Sequence, residues 1–187
     1  RLFKTSPNSL RYSNFSPDGK HVICRIKDYD SSDKYALCIW DIESNECVDT
    51  LHGHTQQIKS ALYSNDGKYI VSASADSTVR VWEVANGNCI KVIGDNQESF
   101  SYATFSPNGR YILSISTTQT LRLWDCTSSE CVYTLKDFAK YATFAPDNKH
   151  FATASDSCIY ICDVSTSERQ LKILQPGQSR QRSNPLL

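Results

Sequence analysis

The stretch that decides the fold is residues 51–84, which read LHGHTQQIKSALYSNDGKYIVSASADSTVRVWEV. Short apolar and β-branched runs alternate with polar loops in this stretch, a pattern that predicts strands rather than helices. We predict four strands, at 58–63, 69–74, 78–84 and, just beyond the stretch, 89–93. Asp66 and Gly67 should form a tight hairpin turn in which both central residues take positive φ.

Two landmarks of this stretch recur along the chain with a period of about 42 residues. The first is a turn segment that begins with an aromatic residue: FSPDGK at 15–20, YSNDGK at 63–68, FSPNGR at 105–110 and FAPDNK at 144–149. The second is a Trp-Asp-like pair further along: Trp40-Asp41, Trp82-Glu83, Trp124-Asp125 and Cys162-Asp163. Landmarks that recur in step indicate four copies of one four-stranded unit. Their apolar strands are typical of a small sheet that is covered on both faces.

These landmarks, with the Gly53-His54 pair and the run SASAD at 72–76, make residues 3–174 resemble the WD40 repeat family. The resemblance implies an all-β fold made of β-propeller blades, each a four-stranded antiparallel sheet. The four WD40 repeats would form a half-ring or part of a seven- or eight-bladed propeller. The expected segments are blades at about 4–51, 52–93, 94–135 and 136–174, followed by a flexible tail at 175–187.

Four such blades do not close a ring, because WD40 blades are shaped for about seven or eight per ring. The end blades would then expose apolar faces, which repeat proteins normally cover. The favoured arrangement is a longer propeller. The alternatives are two copies joined as four plus four blades, or four blades splayed into an unusual ring. Since the chain begins at Arg1 and contains no Met, residue 1 is not expected to be the native N-terminus.

One repeat carries polar residues with two interpretations. His54, Ser72 and Asp76 are the residue types of a base, a nucleophile and an orienting carboxylate. The family resemblance implies instead a structural hydrogen-bond chain in which Trp82 donates to Ser72, Ser72 to His54 and His54 to Asp76. The structural interpretation is favoured, since the sequence has no nucleophile elbow motif. Only the second repeat keeps all four residues, so its blade is expected to be the stiffest.

The first repeat differs from the others by about six extra residues between its second and third strands. In a WD40 propeller, this loop and the loops that link successive blades share one rim, where partners commonly dock. A surface loop without function is the alternative, and it is slightly favoured for the insertion. The candidate partner-binding residues are Asp28, Tyr29, Asp30, Asp33, Lys34 and Tyr35 in the insertion and Gln56, Gln57, Gln97 and Glu98 in the linking loops.

Composition and charge exclude several classes of partner. The chain has 20 basic and 20 acidic residues, so no net field attracts nucleic acid or an anionic membrane. Its longest apolar runs are too short to cross a bilayer. No phosphate-binding glycine loop is present, and His52 beside His54 is too little for a metal site. No cofactor, metal, nucleic acid or membrane partner is therefore expected.

The eight cysteines are expected to be reduced, small apolar residues of an intracellular protein. Cys47, Cys89 and Cys131 occupy one repeated position, and a bridge from Cys126 to Cys131 is a weak alternative. The expected location is the cytoplasm, with the nucleus as the alternative.

The sequence thus predicts a non-enzymatic scaffold that binds proteins or peptides through loops on one rim of a propeller. Further propeller blades or a second copy of the chain are the other expected partners. The alternative is a C-terminal regulatory or sensor segment of a larger multidomain protein of the STAND-type ATPase kind. A Walker-type loop upstream would favour that alternative. An enzyme is the least favoured class.

Overall fold

The computed structural model describes residues 13–26, 35–94, 97–136, 139–156, 158–166 and 169–174. These residues form four antiparallel sheets of four strands each, so the predicted all-β fold of WD40-like blades is confirmed. Blade 1 contains β1 (Ser13–Phe15), β2 (His21–Ile26), β3 (Ala36–Asp41) and β4 (Glu46–Leu51). Blade 2 contains β5 (Ile58–Tyr63), β6 (Tyr69–Ser74), β7 (Val79–Glu83) and β8 (Cys89–Ile93).

The last two blades repeat this order. Blade 3 contains β9 (Phe100–Phe105), β10 (Tyr111–Ser116), β11 (Leu121–Asp125) and β12 (Cys131–Leu135). Blade 4 contains β13 (Tyr141–Phe144), β14 (His150–Ala154), β15 (Cys158–Asp163) and β16 (Arg169–Leu174). In every blade, neighbours in sequence are neighbours in the sheet. The first strands of adjacent blades contact each other, as β1 with β5 and β5 with β9, so the first strands lie at the centre.

The hairpin turn between the first and second strands of each blade is wider than the sequence suggested. In blade 2 the N–H of Ser64 donates to the carbonyl of Tyr69 at 2.8 Å, which closes a loop of four residues. The Asp66 carboxylate accepts from Ser64 Oγ at 2.6 Å and from the N–H of Lys68 at 3.1 Å. Gly67 has φ of +72°, whereas Asp66 is not in the positive-φ region. The prediction of two positive-φ residues is wrong, because a four-residue loop needs only one.

Adjacent blades pack face to face through apolar side chains. Between blades 1 and 2 the core consists of Ile23, Leu37, Ile39, Leu51, Ile58, Ile70 and Trp82. Between blades 2 and 3 it consists of Val71, Ala73, Val79, Val81, Ile93, Phe100, Ala103, Ile112 and Trp124. The core between blades 3 and 4 includes Leu113, Leu121, Leu123, Leu135, Phe151 and Cys162. In each core the aliphatic face of one blade receives the Trp, or Cys162, of the next.

Burial is uneven within a blade. In blades 2 and 3 the second and third strands are covered on both faces, as predicted, and β6 is buried from its second residue to its last. The fourth strands are not, since Val48, Val92 and Val132 are each about half exposed. The sheets therefore bury their central strands and present their outermost strands to solvent.

Two cysteines of blade 1 are bonded to each other, which the sequence analysis did not predict. A disulfide joins Cys38 on β3 to Cys47 on β4, with Cα atoms 6.2 Å apart. The register between these strands shifts at Trp40, which brings Cys47 diagonally across from Cys38. The expectation that all cysteines are reduced is therefore wrong, because it compared Cys47 with other repeats and not with its cross-strand neighbours. Cys126 and Cys131 are both free thiols.

Candidate functional site

Four polar side chains of blade 2 form one continuous hydrogen-bond chain. The indole Nε1–H of Trp82 donates to Ser72 Oγ at 2.8 Å. Ser72 Oγ lies 2.7 Å from His54 Nε2, and His54 Nδ1 lies 2.7 Å from Asp76 Oδ2. Because Ser72 Oγ accepts from Trp82, its own proton points to His54 Nε2. The imidazole then carries its proton on Nδ1 and donates it to Asp76.

Burial sets the charges in this chain. His54 is 5% exposed, and burial lowers its pKa even though the Asp76 carboxylate opposes the shift. Burial alone would raise the pKa of Asp76, but hydrogen bonds from His54, Thr78 and the N–H of Thr55 hold it well below its usual range. At neutral pH a neutral imidazole therefore lies against an ionised carboxylate.

The same residues tie together two loops, 52–57 and 75–78, at one end of blade 2. The Asp76 carboxylate accepts from the N–H of Thr55 at 3.0 Å and from Thr78 Oγ1 at 2.6 Å. Ser74 Oγ donates to the carbonyl of Gln56 at 3.1 Å. These two loops and the matching loops of blade 3, at 97–99 and 117–120, form a surface that we call the top rim.

Gly53 is required where the first of these loops approaches the blade. Its φ is +145°, and a Cβ there would lie 2.7 Å from Arg80 Nη1 and 3.4 Å from the ring of Trp82. A larger residue would therefore combine backbone strain with a clash. The Gly-His pair is thus explained by close packing as well as by the hydrogen bonds of His54.

The geometry around Ser72 does not suit a nucleophile. Ser72 is fully buried, and the hydrogen bonds of its hydroxyl are internal, so no substrate reaches the oxygen. His52, the other histidine of the loop 52–57, is exposed to solvent. Within the described ranges no three metal-ligating side chains come together, and no helix there is long and apolar enough to span a membrane.

Blade 3 fixes the loop that precedes its first strand, which we call the entering loop, through different contacts. Trp124 Nε1–H donates to Ser114 Oγ at 2.8 Å, as in blade 2. The described part of the entering loop has no His, and a carboxylate comes from that loop instead. Arg122 Nη1 donates to Glu98 Oε2 at 3.1 Å. Burial opposes ionisation of Glu98, but hydrogen bonds from Ser116, Arg122 and Thr118 lower its pKa.

The candidate partner-binding residues fall into three groups. Gln56, Gln57 and Gln97 are exposed on the top rim, and Tyr35 is half-buried beside β3. Glu98 is already paired with Arg122 inside the molecule, so it is not a free surface carboxylate. Five residues of the insertion lie outside the described residues: Asp28, Tyr29, Asp30, Asp33 and Lys34. The predicted tail, 175–187, lies outside them too.

Sequence reasoning missed two arginines that brace this region. Arg80 and Arg122 hold the same position in β7 and β11, and their guanidinium carbons lie 5.9 Å from the ring centroids of Trp82 and Phe100. Their sequence pattern alone predicts simple apolar strands for β7 and β11. The signal was a basic residue recurring at the centre of two otherwise apolar strands, 42 positions apart in the sequence.

Known proteins resemble this chain over its repeats. Residues 45–83, 87–125 and 128–163 match the family model described as WD domain, G-beta repeat. Over 50 residues the chain is 44% identical to Nuclear distribution protein PAC1 of Arthroderma otae, covering 27% of this chain and 11% of that protein. Over 44 residues it is 41% identical to Cell division control protein 4 of Saccharomyces cerevisiae, covering 24% of this chain and 6% of that protein.

A longer and more divergent match covers 77 residues. It is 28% identical to the Periodic tryptophan protein 2 homolog of Schizosaccharomyces pombe and covers 41% of this chain and 8% of that protein. The chain thus spans only between 6% and 11% of the length of these relatives. The three family-model segments together make up more than half of the chain, and they contain three of the four Trp-Asp-like pairs, at 82–83, 124–125 and 162–163, and most of the strands. By these matches and by its four-stranded blades, the chain belongs to the WD40 repeat family, whose members are typically protein-interaction scaffolds.

Proposed function

We propose that this chain is a non-enzymatic scaffold that binds proteins or peptides through its top rim. The observation that carries the proposal is a contrast between backbone and side chains in loop 52–57. Asp76 and Ser74 hold the loop backbone through hydrogen bonds, whereas the side chains of Gln56 and Gln57 are exposed. A fixed backbone that presents exposed amides offers directional hydrogen bonds to a partner at a low entropic cost.

Blade 3 supports the same proposal with a different anchor. Glu98 and Arg122 hold the entering loop, and the neighbouring Gln97 is exposed. Ser99 Oγ also donates to the carbonyl of Ala75 in blade 2 at 2.9 Å, which links the top-rim loops of the two blades. A partner that spans both blades would therefore meet one continuous, braced surface.

Charge substitution on the two opposite ends of the blades tests the proposal. The variant Gln57→Glu with Gln97→Glu alters the top rim, and Asn65→Glu with Asn88→Glu makes the same change at exposed amides on the opposite end. Partners captured by the wild-type chain should be lost with the first variant and kept with the second. The reverse result, loss only with the opposite-end variant, would contradict a top-rim function.

We propose from the sequence alone that the insertion of the first repeat also takes part in docking. Its charged and aromatic residues, Asp28, Tyr29, Asp30, Asp33, Lys34 and Tyr35, are types that serve as interface anchors. Deletion of residues 28–33 should remove part of the captured set if the loop takes part in docking. An unchanged set would assign docking to the linking loops of blades 2 and 3.

We also propose that further WD-type blades cover the two end faces. Tyr63 and Phe105 pack into the cores between blades, but the corresponding Phe15 of blade 1 is 64% exposed. Leu121 is fully buried against blade 4, but the corresponding Ile159 of blade 4 is 38% exposed. Positions that pack against a neighbouring blade at the internal interfaces are therefore open at both ends.

The mass of the purified chain identifies the source of such blades. A second copy would supply them through a four-plus-four dimer, and Ile159→Lys should dissociate it by placing a charge in the contact. A monomer at all concentrations in sedimentation would remove that arrangement and leave blades of a longer or separate chain. The matched control is Val92→Lys on the exposed outer strand β8, which should not change the mass.

A regulatory or sensor segment of a larger multidomain protein remains the second candidate function. It would use the same top rim, but its ligand would control an upstream ATPase. The sequence upstream of Arg1 in the parent gene tests this directly, since a Walker-type loop there would favour it. An intracellular location also stays a prediction, and imaging of the tagged full-length protein would check it.

A further inference from the structure

A cavity of about 420 Å³ opens where the first strands of the four blades meet. All four blades contribute to its wall, which makes it the centre of the arrangement rather than a gap between two blades. Its polar lining consists of Asn14 of β1, Lys59 and Ser60 of β5, Ser101 and Tyr102 of β9, and Lys140 and Tyr141 of blade 4. Its volume is in the usual range of ligand pockets.

The two lysines hold one repeated position. Lys59, Ser101 and Lys140 each lie four residues before the turn aromatic of their blade. They stand at or just before the start of the first strand, next to the top rim. Both lysines therefore line the cavity from corresponding positions, on the side where the proposed docking loops lie. The repeated position places these side chains at the same part of each blade, and blades 2 and 4 carry lysine there whereas blade 3 carries Ser101.

Among the described residues of the cavity wall, the lysine charges are not balanced by a carboxylate. None of the described residues that line the cavity is an Asp or a Glu. Lys59 Nζ donates to Gln57 Oε1 at 2.7 Å, and that amide is a neutral acceptor. Lys140 Nζ pairs with Asp156 at 2.7 Å, but the Asp156 side chain is 80% exposed. Such an exposed ion pair is weak, so another carboxylate can replace it at little cost.

The remaining part of the cavity wall is apolar and aromatic, and it can pack against the aliphatic part of a ligand's side chains. Ala61, Leu62 and Ala142 line the cavity with apolar surface. The Tyr102 and Tyr141 rings add aromatic surface with hydroxyl groups, and Tyr141 is 73% exposed. An extended peptide would meet cations next to the top rim, and tyrosines and small apolar residues in the remainder of the wall.

We propose that this cavity binds an acidic peptide segment that enters from the top rim, with its carboxylates held by Lys59 and Lys140. This inference rests on the proposed function, because it names the chemistry of the peptide that the scaffold would take. Acidic side chains complement the two ammonium groups, and their aliphatic stems pack on the apolar part of the wall. The cavity has room for a short segment and not for a folded domain.

Selection from a displayed library of random heptapeptides on the purified chain tests the proposal. Peptides retained by the wild type should be enriched in Asp and Glu. The most enriched sequence is then synthesised, and its affinity is measured for the wild type, for Lys59→Gln with Lys140→Gln, and for Lys68→Gln with Lys149→Gln. The last variant makes the same charge change at exposed lysines of the opposite end. Thermal melting of each variant confirms that it is folded.

The expected result is a loss of affinity of about tenfold or more in the cavity variant, an unchanged affinity in the control, and weaker binding at higher salt. Retained peptides without acidic enrichment, with affinities that Lys59→Gln and Lys140→Gln leave unchanged, would overturn this inference and leave the proposed function intact. Equal losses in both variants would also overturn it, since binding would follow total charge. If no peptide is retained, the inference and peptide binding by the top rim both fail.

Discussion

Blades 2 and 3 solve the same packing problem with different chemistry. In both, a Trp indole donates to a buried Ser at 2.8 Å. In blade 2 the Ser continues through His54 to Asp76, a carboxylate on the loop between the second and third strands. In blade 3 that position is Thr118, and the carboxylate comes from Glu98 on the entering loop, paired with Arg122.

The difference between blades 2 and 3 shows what is needed to hold the two top-rim loops of a blade together. Each blade has one ionised carboxylate that bridges its two top-rim loops, but the carboxylate can belong to either loop. When it lies on the entering loop, as Glu98 does, it reaches Thr118 and Ser116 directly and needs no imidazole in between. When it lies on the other loop, as Asp76 does, His54 extends the connection inward to Ser72. The predictions below test this equivalence.

The largest difference is expected when the buried serine is removed from each blade. Ser72→Ala leaves both the indole N–H of Trp82 and Nε2 of His54 without a partner, so it should cost about 2–4 kcal/mol of unfolding free energy. Ser114→Ala leaves only the indole N–H of Trp124 and should cost about 1–2 kcal/mol. Urea unfolding followed by tryptophan fluorescence measures both. Equal costs would show that the His54 branch adds nothing to the Trp–Ser bond.

A smaller effect is expected from the ion pair of blade 3. Glu98→Gln keeps the shape of the side chain and removes its charge, and it should cost about 1–2 kcal/mol because the side chain of Arg122 is only 10% exposed. The partial exposure of Glu98 keeps the cost below that of a fully buried pair. A double-mutant cycle with Arg122→Gln isolates the interaction. A coupling energy near zero would mean that Ser116 and Thr118 hold the loop without the arginine.

Acidification should reveal a smaller difference between blades 2 and 3, because their anchors lose their contribution to stability in different pH ranges. Burial places the pKa of His54 below its unfolded value of about 6.5, so the unfolded chain binds more protons than the folded chain as pH falls below that value. The stabilisation from neutral His54 is therefore complete above about pH 6.5 and is lost progressively below it. Glu98, with a lowered pKa, contributes above its unfolded value of about 4.3 and loses its contribution only at lower pH.

Hydrogen exchange at two pH values measures this difference. Between pH 7.5 and 5.5, the amides of loop 52–57 should lose protection, after correction for intrinsic exchange, while those of 97–99 should not. His54→Asn should abolish the pH-dependent part in blade 2. Parallel losses in both loops would indicate a global titration and not a local one at His54.

Much of the fold could be predicted from the sequence because its signals are local and repeated. Turn segments that begin with an aromatic residue, β-branched runs and Trp-Asp-like pairs recur in each blade, and the strands predicted at 58–63, 69–74 and 89–93 match β5, β6 and β8. The four residues of the blade 2 chain were also expected together, since the family resemblance supplied their connection. Local patterns and repetition therefore sufficed for the blades and for one of the two loop anchors.

The remaining features depend on cross-strand geometry, which a linear pattern does not contain. Glu98 and Arg122 are 24 residues apart and belong to no motif, so the sequence predicts only a surface position for Glu98. The disulfide of Cys38 with Cys47 depends on a register shift at Trp40, which the sequence does not mark. The two lysines come to line one cavity only when the first strands of different blades meet.

The smallest effect is expected from transferring the blade 3 anchor into blade 2. Arg80 Nε is buried without a hydrogen-bond partner, and Gln56 holds the position that Glu98 has in blade 3. Gln56→Glu should therefore offer Arg80 a carboxylate, as Glu98 does for Arg122. The gain should be only about 0.5 kcal/mol, because the ionised Asp76 on the adjacent loop repels the new charge. Urea unfolding at low and high salt measures it, and in an Arg80→Gln background the gain should become a loss. If Gln56→Glu destabilises both backgrounds equally, the entering loops do not present this position alike, and the equivalence of the two blades is limited to the Trp–Ser bond.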